Sequence, residues 1–317
     1  MGLDWLDAFL ISGTFGVVEI IGLGLLLHLQ VGLTRVANFG VVGFWGLGLY
    51  TFGVLYVRVD WPFGDPWQFL LSALGAMIAA GLAGLLIAWL VADLDSDGAL
   101  VGTLGFASVV LILATTQGDL TGGALGLGGL GFPYDVGSTK ANELVWLGVM
   151  TLVVAAIFAY VRWVHRTPYG RLLIAVGANE PLARSLGKST TAAKLGLFTI
   201  TCGLMGLLGA LHGVMVRFLD IGSLDVGVTL AALAGLILGG AARVWGAVVG
   251  VLLTVGLFDI VIQFYIPLPQ EWYTQAIPVL REAVFGAVVV AILLFRPQGL
   301  LGEMRRPRLM RSLHDFD

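Results

Sequence analysis

Charge is scarce in this sequence. Of 317 residues, 12% are Asp, Glu, Lys or Arg against 58% hydrophobic, and mean hydropathy is +0.96. So little charge cannot coat a water-facing surface of this size, which excludes a soluble globular fold and leaves the bilayer as solvent. Long polar stretches are missing as well. The longest runs from Arg162 to Lys194, so no sizeable soluble domain is hidden in the chain. Cysteine is nearly absent: Cys202 stands alone, which rules out an internal disulfide and gives no indication of redox chemistry. There is no GxxxxGK[ST] phosphate loop, so the chain is not expected to bind and hydrolyse ATP itself. No two His or Cys residues have metal-ligand spacing, and no Ser, His and Asp set carries a local nucleophile signature. An enzyme reading has little support. Met1 to Asp7 holds two aspartates and no Lys or Arg, unlike the positive start of a cleaved signal peptide, and the first apolar run is expected to be a retained span.

What is present is a succession of apolar runs from Ala8 to Phe295, and a span needs about 20 predominantly apolar residues. Polar and Pro/Gly-rich breaks divide them into about nine expected spans, within a range of eight to ten, near 8–29, 36–57, 68–91, 99–116, 144–164, 195–216, 226–240, 246–265 and 281–295. The expected fold is an all-α polytopic transmembrane bundle. Val226 to Gly240 crosses only if it tilts, kinks or extends into its flanks. The net charge of -3 says little about partners, because in a membrane protein the placement of positive charge decides topology. Among 17 Lys and Arg residues, six lie at Arg162, Arg166, Arg171, Arg184, Lys188 and Lys194, and five in the tail at Arg296, Arg305, Arg306, Arg308 and Arg311. Both segments are expected in the cytoplasm. An even number of spans separates them, so the two assignments agree, and counting back puts the acidic N-terminus outside. The loops Arg58 to Trp67, Gln117 to Glu143 and Ile266 to Leu280 then face outward, with Trp61, Trp67, Tyr134, Trp272 and Tyr273 at the interface.

Glycine is abundant, at 46 residues. Gly209 and Gly213, and Gly246 and Gly250, form GxxxG pairs, while Gly40, Gly43 and Gly46 recur at about one turn. Such spacing lets helix backbones approach closely in lipid, where no hydrophobic effect draws helices together. Thr121 to Phe132, TGGALGLGGLGF, is too flexible for a regular helix. Irregular backbone at membrane depth survives only if buried in protein or lining water, so this segment is either a pathway-lining loop or a plain external one.

Ionisable residues inside spans are expensive and are functional candidates by default. Glu19, near the middle of the first span, either faces a solute pathway or is neutralised by a neighbouring helix. His28, nine residues on, is turned by about 900° and lies on the opposite face, so the two do not pair within one helix; His28 is expected at the inner interface. His212 has packing or an interfacial position as its expected role, Asp259 and Gln263 lie one turn apart on one face, and Asp220 and Asp225 fall in an outer loop. The candidate pathway set is Glu19, Asn38, Thr121, Gly122 and Gly123.

The most informative stretch is RTPYGRLLIAVGANEPLARSLGKSTTAAK, from Arg166 to Lys194. Asn179 suits an N-cap, Glu180 and Pro181 a first helical turn, and Gly187 the residue just past the end. A short helix over Glu180 to Leu186 follows, either a rigid peg for a soluble partner or an ordinary amphipathic loop helix.

With this loop stand LGLLLHLQVGLTRVANFGVVGFWGLGLYTFGVL, TLGFASVVLILATTQGDLTGGALGLGGLGFP, FTITCGLMGLLGAL, LILGGAARVWGAVVGVLL and LFRPQGLLG. In that order they resemble the branched-chain amino acid permease family of ABC transporters, in the subgroup of its M-type membrane subunit. The resemblance covers nearly the whole chain. It implies one permease domain, residues 1–317, with an ATPase-coupling loop at about 165–194 and a cytoplasmic tail at 296–317, in the bacterial cytoplasmic (inner) membrane. It implies as partners a second homologous permease, two ATPase subunits that use ATP and Mg, and a periplasmic or lipid-anchored solute-binding protein, with no cofactor bound by this chain and no nucleic acid. The coupling residues would be Asn179, Glu180, Pro181, Leu182, Ala183, Arg184, Ser185, Leu186 and Gly187, of which Asn179, Glu180, Ala183 and Gly187, with Ala175, match the family pattern. The implied cargo is a branched-chain or other small amino acid; urea, short amides and an ATPase-independent carrier remain open. Two departures stand out. Gly177 occupies a place where the family usually has arginine, and Ala92 to Gly98, ADLDSDG, is acidic where relatives tend to be basic.

Overall fold

A computed structural model describes residues 4–256, apart from 63, 93, 95, 135 and 242, together with isolated positions between 283 and 301. α1, Asp4–Leu27, passes unbroken into a π-helical turn, His28–Leu33. Then come α2, Val41–Val57; α3, Asp65–Leu90; α4, Ser96–Thr116; and a single turn, α5, Gly118–Thr121. A two-residue strand β1, Leu127–Gly128, precedes α6, Thr139–Arg166; α7, Pro168–Ala178; α8, Glu180–Ser185; and α9, Thr190–Val216. β2, Phe218–Leu219, leads to α10, Val226–Gly239, and α11, Val244–Val251, which continues as a second π turn, Leu252–Gly256. The strands pair antiparallel, Leu127 with Leu219 and Gly128 with Phe218. The chain is an all-α helical bundle.

Local chemistry places the helix ends. Asp65 and Pro66 open α3, where an acidic side chain faces the positive helix terminus and proline's missing N–H costs nothing. Ser138 caps α6 by accepting from the Ala141 amide at 3.2 Å. α9 forms the centre, packed on α2 and α3, while α1 packs on α6, α10 and α11. Around this core the outer faces of α3, α4 and α6 expose Ile78, Leu82, Val109, Ile112 and Leu152, the apolar surface expected against hydrocarbon.

The glycines are contact points. A Cβ on Gly209 would meet the Trp45 carbonyl oxygen, one on Gly48 the Gly206 backbone, and one on Gly206 the Ala80 side chain. α9 is therefore wedged between α2 and α3 at backbone distance. The Gly246 and Gly250 pair does the same between α11 and α10, meeting Gly240 and Gly235.

Among the described residues, five helical runs are long and apolar enough to cross a membrane: Ile11–Leu33, Asp65–Leu90, Asp97–Thr116, Thr139–Arg166 and Thr190–Val216. Val41–Val57 is shorter, and Val226–Gly239 with Val244–Gly256 form a pair bent by 119° that adds at most one span. The expected nine is thus not reached among the described residues. The described parts of the expected spans near 226–240 and 246–265, Val226–Gly239 and Val244–Gly256, form a helical hairpin, because their glycines bring the two helices together. The second expected span, near 36–57, begins only at Val41, because side-chain hydrogen bonds hold 35–40 out of helix. The expected span near 281–295, the tail 296–317, and Asp259 and Gln263 lie outside the described residues, apart from isolated positions. Among these, Leu300 and Leu301 donate their amides to the carbonyls of Leu238 and Gly239 at the end of α10.

α1, α3 and α6 finish, and α2, α4 and α9 begin, at one end of the bundle, where Arg35, Arg162, Arg166, Arg171, Arg184, Lys188 and Lys194 gather; this is called the basic end below. α10 starts part-way along α2, with Leu224 against Gly46 and the Thr229 hydroxyl accepting from the Val42 amide at 3.0 Å.

Gly209→Leu is expected to destabilise the folded chain by about 1–3 kcal/mol, the cost of overpacking a close contact. Gly148→Ala, at a site with nothing within 4 Å of the added Cβ, is expected to be neutral. Thermal unfolding in detergent measures both.

Candidate functional site

Beyond α6 the chain turns on Thr167, whose hydroxyl accepts from the Gly170 amide at 3.3 Å and starts α7 with Pro168 in its first turn. α7 lies across the basic end. A Cβ on Gly177 would run into the Leu33 carbonyl oxygen, so α7 sits directly on the π turn of α1. This accounts for glycine where the resemblance leads one to expect arginine: no side chain fits. The Tyr169 hydroxyl donates to the Ala193 carbonyl at 2.8 Å and ties α7 to α9. Burial, with Tyr160 nearby, pushes this phenol up to about 12, which keeps it a donor.

α8 is held at both ends and from one side. Asn179 accepts from the Leu182 amide at 3.0 Å through its side chain. At the other end the Gly187 amide donates to Arg184 at 3.0 Å and the Lys188 amide to Ala183 at 3.2 Å, with Gly187 at φ +76°, the double bond pattern of a left-handed helix stop. Glu180 pairs with Lys194 of α9 and with Arg184 at 3.3 Å. Burial alone raises the Glu180 carboxyl, but the hydrogen bond and charge of Lys194, the Thr190 hydroxyl and Arg184 outweigh it and hold the group below the usual carboxylate range. Its folded pKa is depressed, so this clamp is complete above the ordinary carboxylate pKa and is lost as pH falls through the lowered value. Ala183 is buried beneath the helix, while Leu182 and Leu186 stand 55% and 71% exposed. A cleft of about 320 Å³ opens beside α8, lined by Thr34, Arg35, Val91, Gly177, Glu180 and Lys194. Ala92 and Leu94, from the acidic segment after α3, line a neighbouring recess with Arg184 and Lys194.

Polar residues form a seam through the bundle above this end. Glu19 is 4% exposed; Trp45 Nε1 of α2 donates to its Oε1 at 2.7 Å, and His212 Nδ1 of α9 lies 2.7 Å from its Oε2. Both oxygens are thus engaged by this chain's own helices. His212, expected to pack or to lie at an interface, is the carboxylate's partner. Spacing along the chain gives no hint of it, because 193 residues intervene. Asn38 is fully buried. Its Nδ2 donates to Gln30 Oε1 at 2.8 Å, its Oδ1 accepts from the Gly40 amide at 2.8 Å, and Gln30 Nε2 donates to Thr201 of α9 at 2.6 Å. This network, with Thr103 accepting from the Phe39 amide at 3.1 Å, satisfies the irregular backbone between α1 and α2, as membrane depth requires. His28, expected at an interface, is fully buried, its Nε2 2.9 Å from His165 Nε2 of α6.

Thr121, Gly122 and Gly123 lie at the opposite end. The Thr121 hydroxyl donates to the Ala114 carbonyl at 2.7 Å and accepts from the Gly123 amide at 3.2 Å. Gly122 has φ +80°, which turns the chain back so that β1 can reach β2. There Arg217 meets Glu143 at 3.7 Å and lies 5.2 Å over the Phe132 ring. The pathway candidates therefore do not converge: Glu19 and Asn38 sit in separate buried networks, apart from the Thr121 turn. Among the described residues no group of three or more His, Cys, Asp or Glu could hold a metal.

Residues 8–293 match the family described as branched-chain amino acid transport system / permease component. The chain belongs to this family. The permease is 30% identical over 311 residues to the high-affinity branched-chain amino acid transport system permease protein LivM of Escherichia coli (strain K12), covering 90% of this chain and 68% of the relative. The Salmonella typhimurium LivM gives 29% identity over the same shares. The autoinducer 2 import system permease protein LsrC of Escherichia coli (strain K12 / DH10B) is 25% identical over 69% of this chain and 60% of its own length. No solved structure matches the permease. It is a multi-pass membrane permease subunit of an ABC importer, not an enzyme.

Removing a buried acceptor leaves each donor it served unsatisfied, at a cost of about 1–3 kcal/mol. Glu19→Leu is expected to fall in that range by thermal unfolding of the detergent-solubilised permease, and Glu19→Gln, which still accepts from Trp45, to cost less.

Proposed function

We propose that the permease is the M-type membrane subunit of an ATP-driven importer that carries branched-chain or other small amino acids across a bacterial cytoplasmic (inner) membrane. Its N-terminus lies outside, its basic end and tail lie in the cytoplasm, and it pairs with a second homologous permease. Two ATPase subunits, which use ATP and Mg, dock at the basic end through Asn179 to Gly187; a periplasmic or lipid-anchored binding protein delivers solute at the opposite end.

The observation that carries this reading is α8 itself. A helix of six residues has no stability of its own, yet this one is capped at both ends, clamped by Glu180 to Lys194, and turned so that two leucines face away from the bundle. Leucines exposed in the most basic loop of the chain are suited to a protein groove rather than to water. The cargo is taken from the named substrates of the LivM relatives. Orientation rests on the basic residues gathered at one end.

Leu182→Asp is expected to reach the membrane normally and to lose ATPase association and solute-stimulated hydrolysis together; a variant with wild-type ATPase binding and uptake would put the docking surface elsewhere. Asn179→Ala is expected to weaken the same contact less, through about 0.5–2 kcal/mol of lost helix stability. For orientation, a cysteine replacing exposed Lys188 in a Cys202-free background should resist an impermeant reagent added from outside.

A further inference from the structure

The basic end carries a second cluster of cations, away from α8, on the outer face of α6. Arg162 and Arg166 are both exposed and lie four residues apart, so their side chains share a face. Trp163 is 60% exposed between them, and Trp245 of α11 is 55% exposed. Trp245 reaches α6 by packing on Phe158, with 4.9 Å between ring centroids, and the Arg162 guanidinium lies 5.9 Å over the same phenyl ring. The cluster thus bridges two helices.

Its depth follows from helix length. α6 has 28 residues and is about 42 Å long at about 1.5 Å per residue, whereas the hydrocarbon layer is about 30 Å thick. The excess, shared between the two ends, puts the last turn of α6 at headgroup level. Indole rings favour that level, since they are apolar with one polar N–H. No carboxylate offsets the two arginines. Neither makes an ion pair among the described residues, and no Asp or Glu occurs from Leu144 to Asn179 or from Val226 to Phe258. Like charges one turn apart on a helix repel each other, so an anion between them is favoured twice. A free anion would satisfy the arginines and leave the indoles bare. A zwitterionic lipid would cover the indoles but bring a cation of its own. A lipid with a net negative headgroup meets both requirements.

We propose that this face of α6 and α11 binds an anionic phospholipid, with its phosphate held between Arg162 and Arg166 and its acyl chains lying over Phe158 and Trp245. Arg166 immediately precedes Thr167, whose hydroxyl starts α7, so the headgroup sits where the chain leaves the membrane for α7 and α8. The site depends on the membrane placement of the permease and not on which solute it carries.

The test uses the complete transporter, purified in mild detergent, stripped of endogenous lipid and titrated with phosphatidylglycerol or phosphatidylcholine, while native mass spectrometry counts the lipids on this subunit. The wild type should bind phosphatidylglycerol at the lower concentration, and added salt should narrow the difference. Arg162→Gln with Arg166→Gln should weaken phosphatidylglycerol binding by roughly tenfold or more, and Arg162→Lys with Arg166→Lys, which keeps both charges, should restore most of it. Lys188→Gln removes an exposed cation from the loop after α8 and should change nothing. Trp245→Ala keeps both arginines and should weaken binding several-fold, which decides the matter if the double Gln variant does not assemble. Equal binding of the two lipids by the wild type overturns the site, as does unchanged phosphatidylglycerol binding in the double Gln variant or in Trp245→Ala. Displacement of the lipid by inorganic phosphate would make this a site for a free anion and also overturns it. Loss of the second permease from the double Gln variant, with its lipid binding intact, would assign the face to that partner and overturns it too.

Discussion

The contact on which the rest of this permease depends is the wedging of α9 between α2 and α3. In hydrocarbon no hydrophobic effect gathers helices, so close packing and internal polar bonds must do so. Gly48, Gly206 and Gly209 remove the side chains that would keep the backbones apart. Once α9 is seated, its polar residues arrive at fixed heights along the bundle. Lys194 meets Glu180, Thr201 meets Gln30, and His212 meets Glu19. A single small-residue crossing thus sets the partners of three polar groups that would otherwise be too costly to bury.

Those partners divide the molecule by task. At the basic end, Glu180 with Lys194 and Tyr169 with Ala193 fasten α7 and α8 to the start of α9. Displacement of α8 is therefore displacement of a core helix rather than of a loose loop. In the interior, the Gln30, Asn38 and Thr201 network holds the irregular turn into α2, and His28 against His165 ties the π turn of α1 to α6. At the far end, β2 continues directly from α9 and pairs with β1, so the glycine-rich turn before β1 is attached to the same helix that carries Lys194. One continuous helix joins the proposed ATPase contact to the paired strands at the opposite end.

Several features could be read from residues alone because their causes are local. The caps of α8 depend on an Asn and a Gly a few residues apart, and they appear where those residues stand. GxxxG spacing marked Gly209 and Gly250 as contact points before any partner was known. Among the described residues the expected nine spans are not reached where locality fails. Hydropathy registers an apolar stretch but not the 119° bend that turns α10 and α11 into a hairpin, nor the side-chain bonds that delay α2 to Val41.

By itself, then, the sequence determined the solvent, the helical character, the family and the capped helix α8, since composition, periodicity and capping act over one helix or less. Only the tertiary structure decided the fate of the buried polar groups. Glu19 had two readings, pathway or neutralisation, and which neighbour reaches its oxygens depends on how helices nearly two hundred residues apart cross. The same holds for Gly177, which looked like a departure from a family pattern until the Leu33 carbonyl was found against it. Tyr50 is the third case. An aromatic in an apolar helix looks like packing, and only the assembled bundle shuts its hydroxyl away from every polar partner among the described residues. The physical reason is common to all three. The cost of burying a polar group depends on atoms brought close by folding, and those atoms are not its neighbours in the chain.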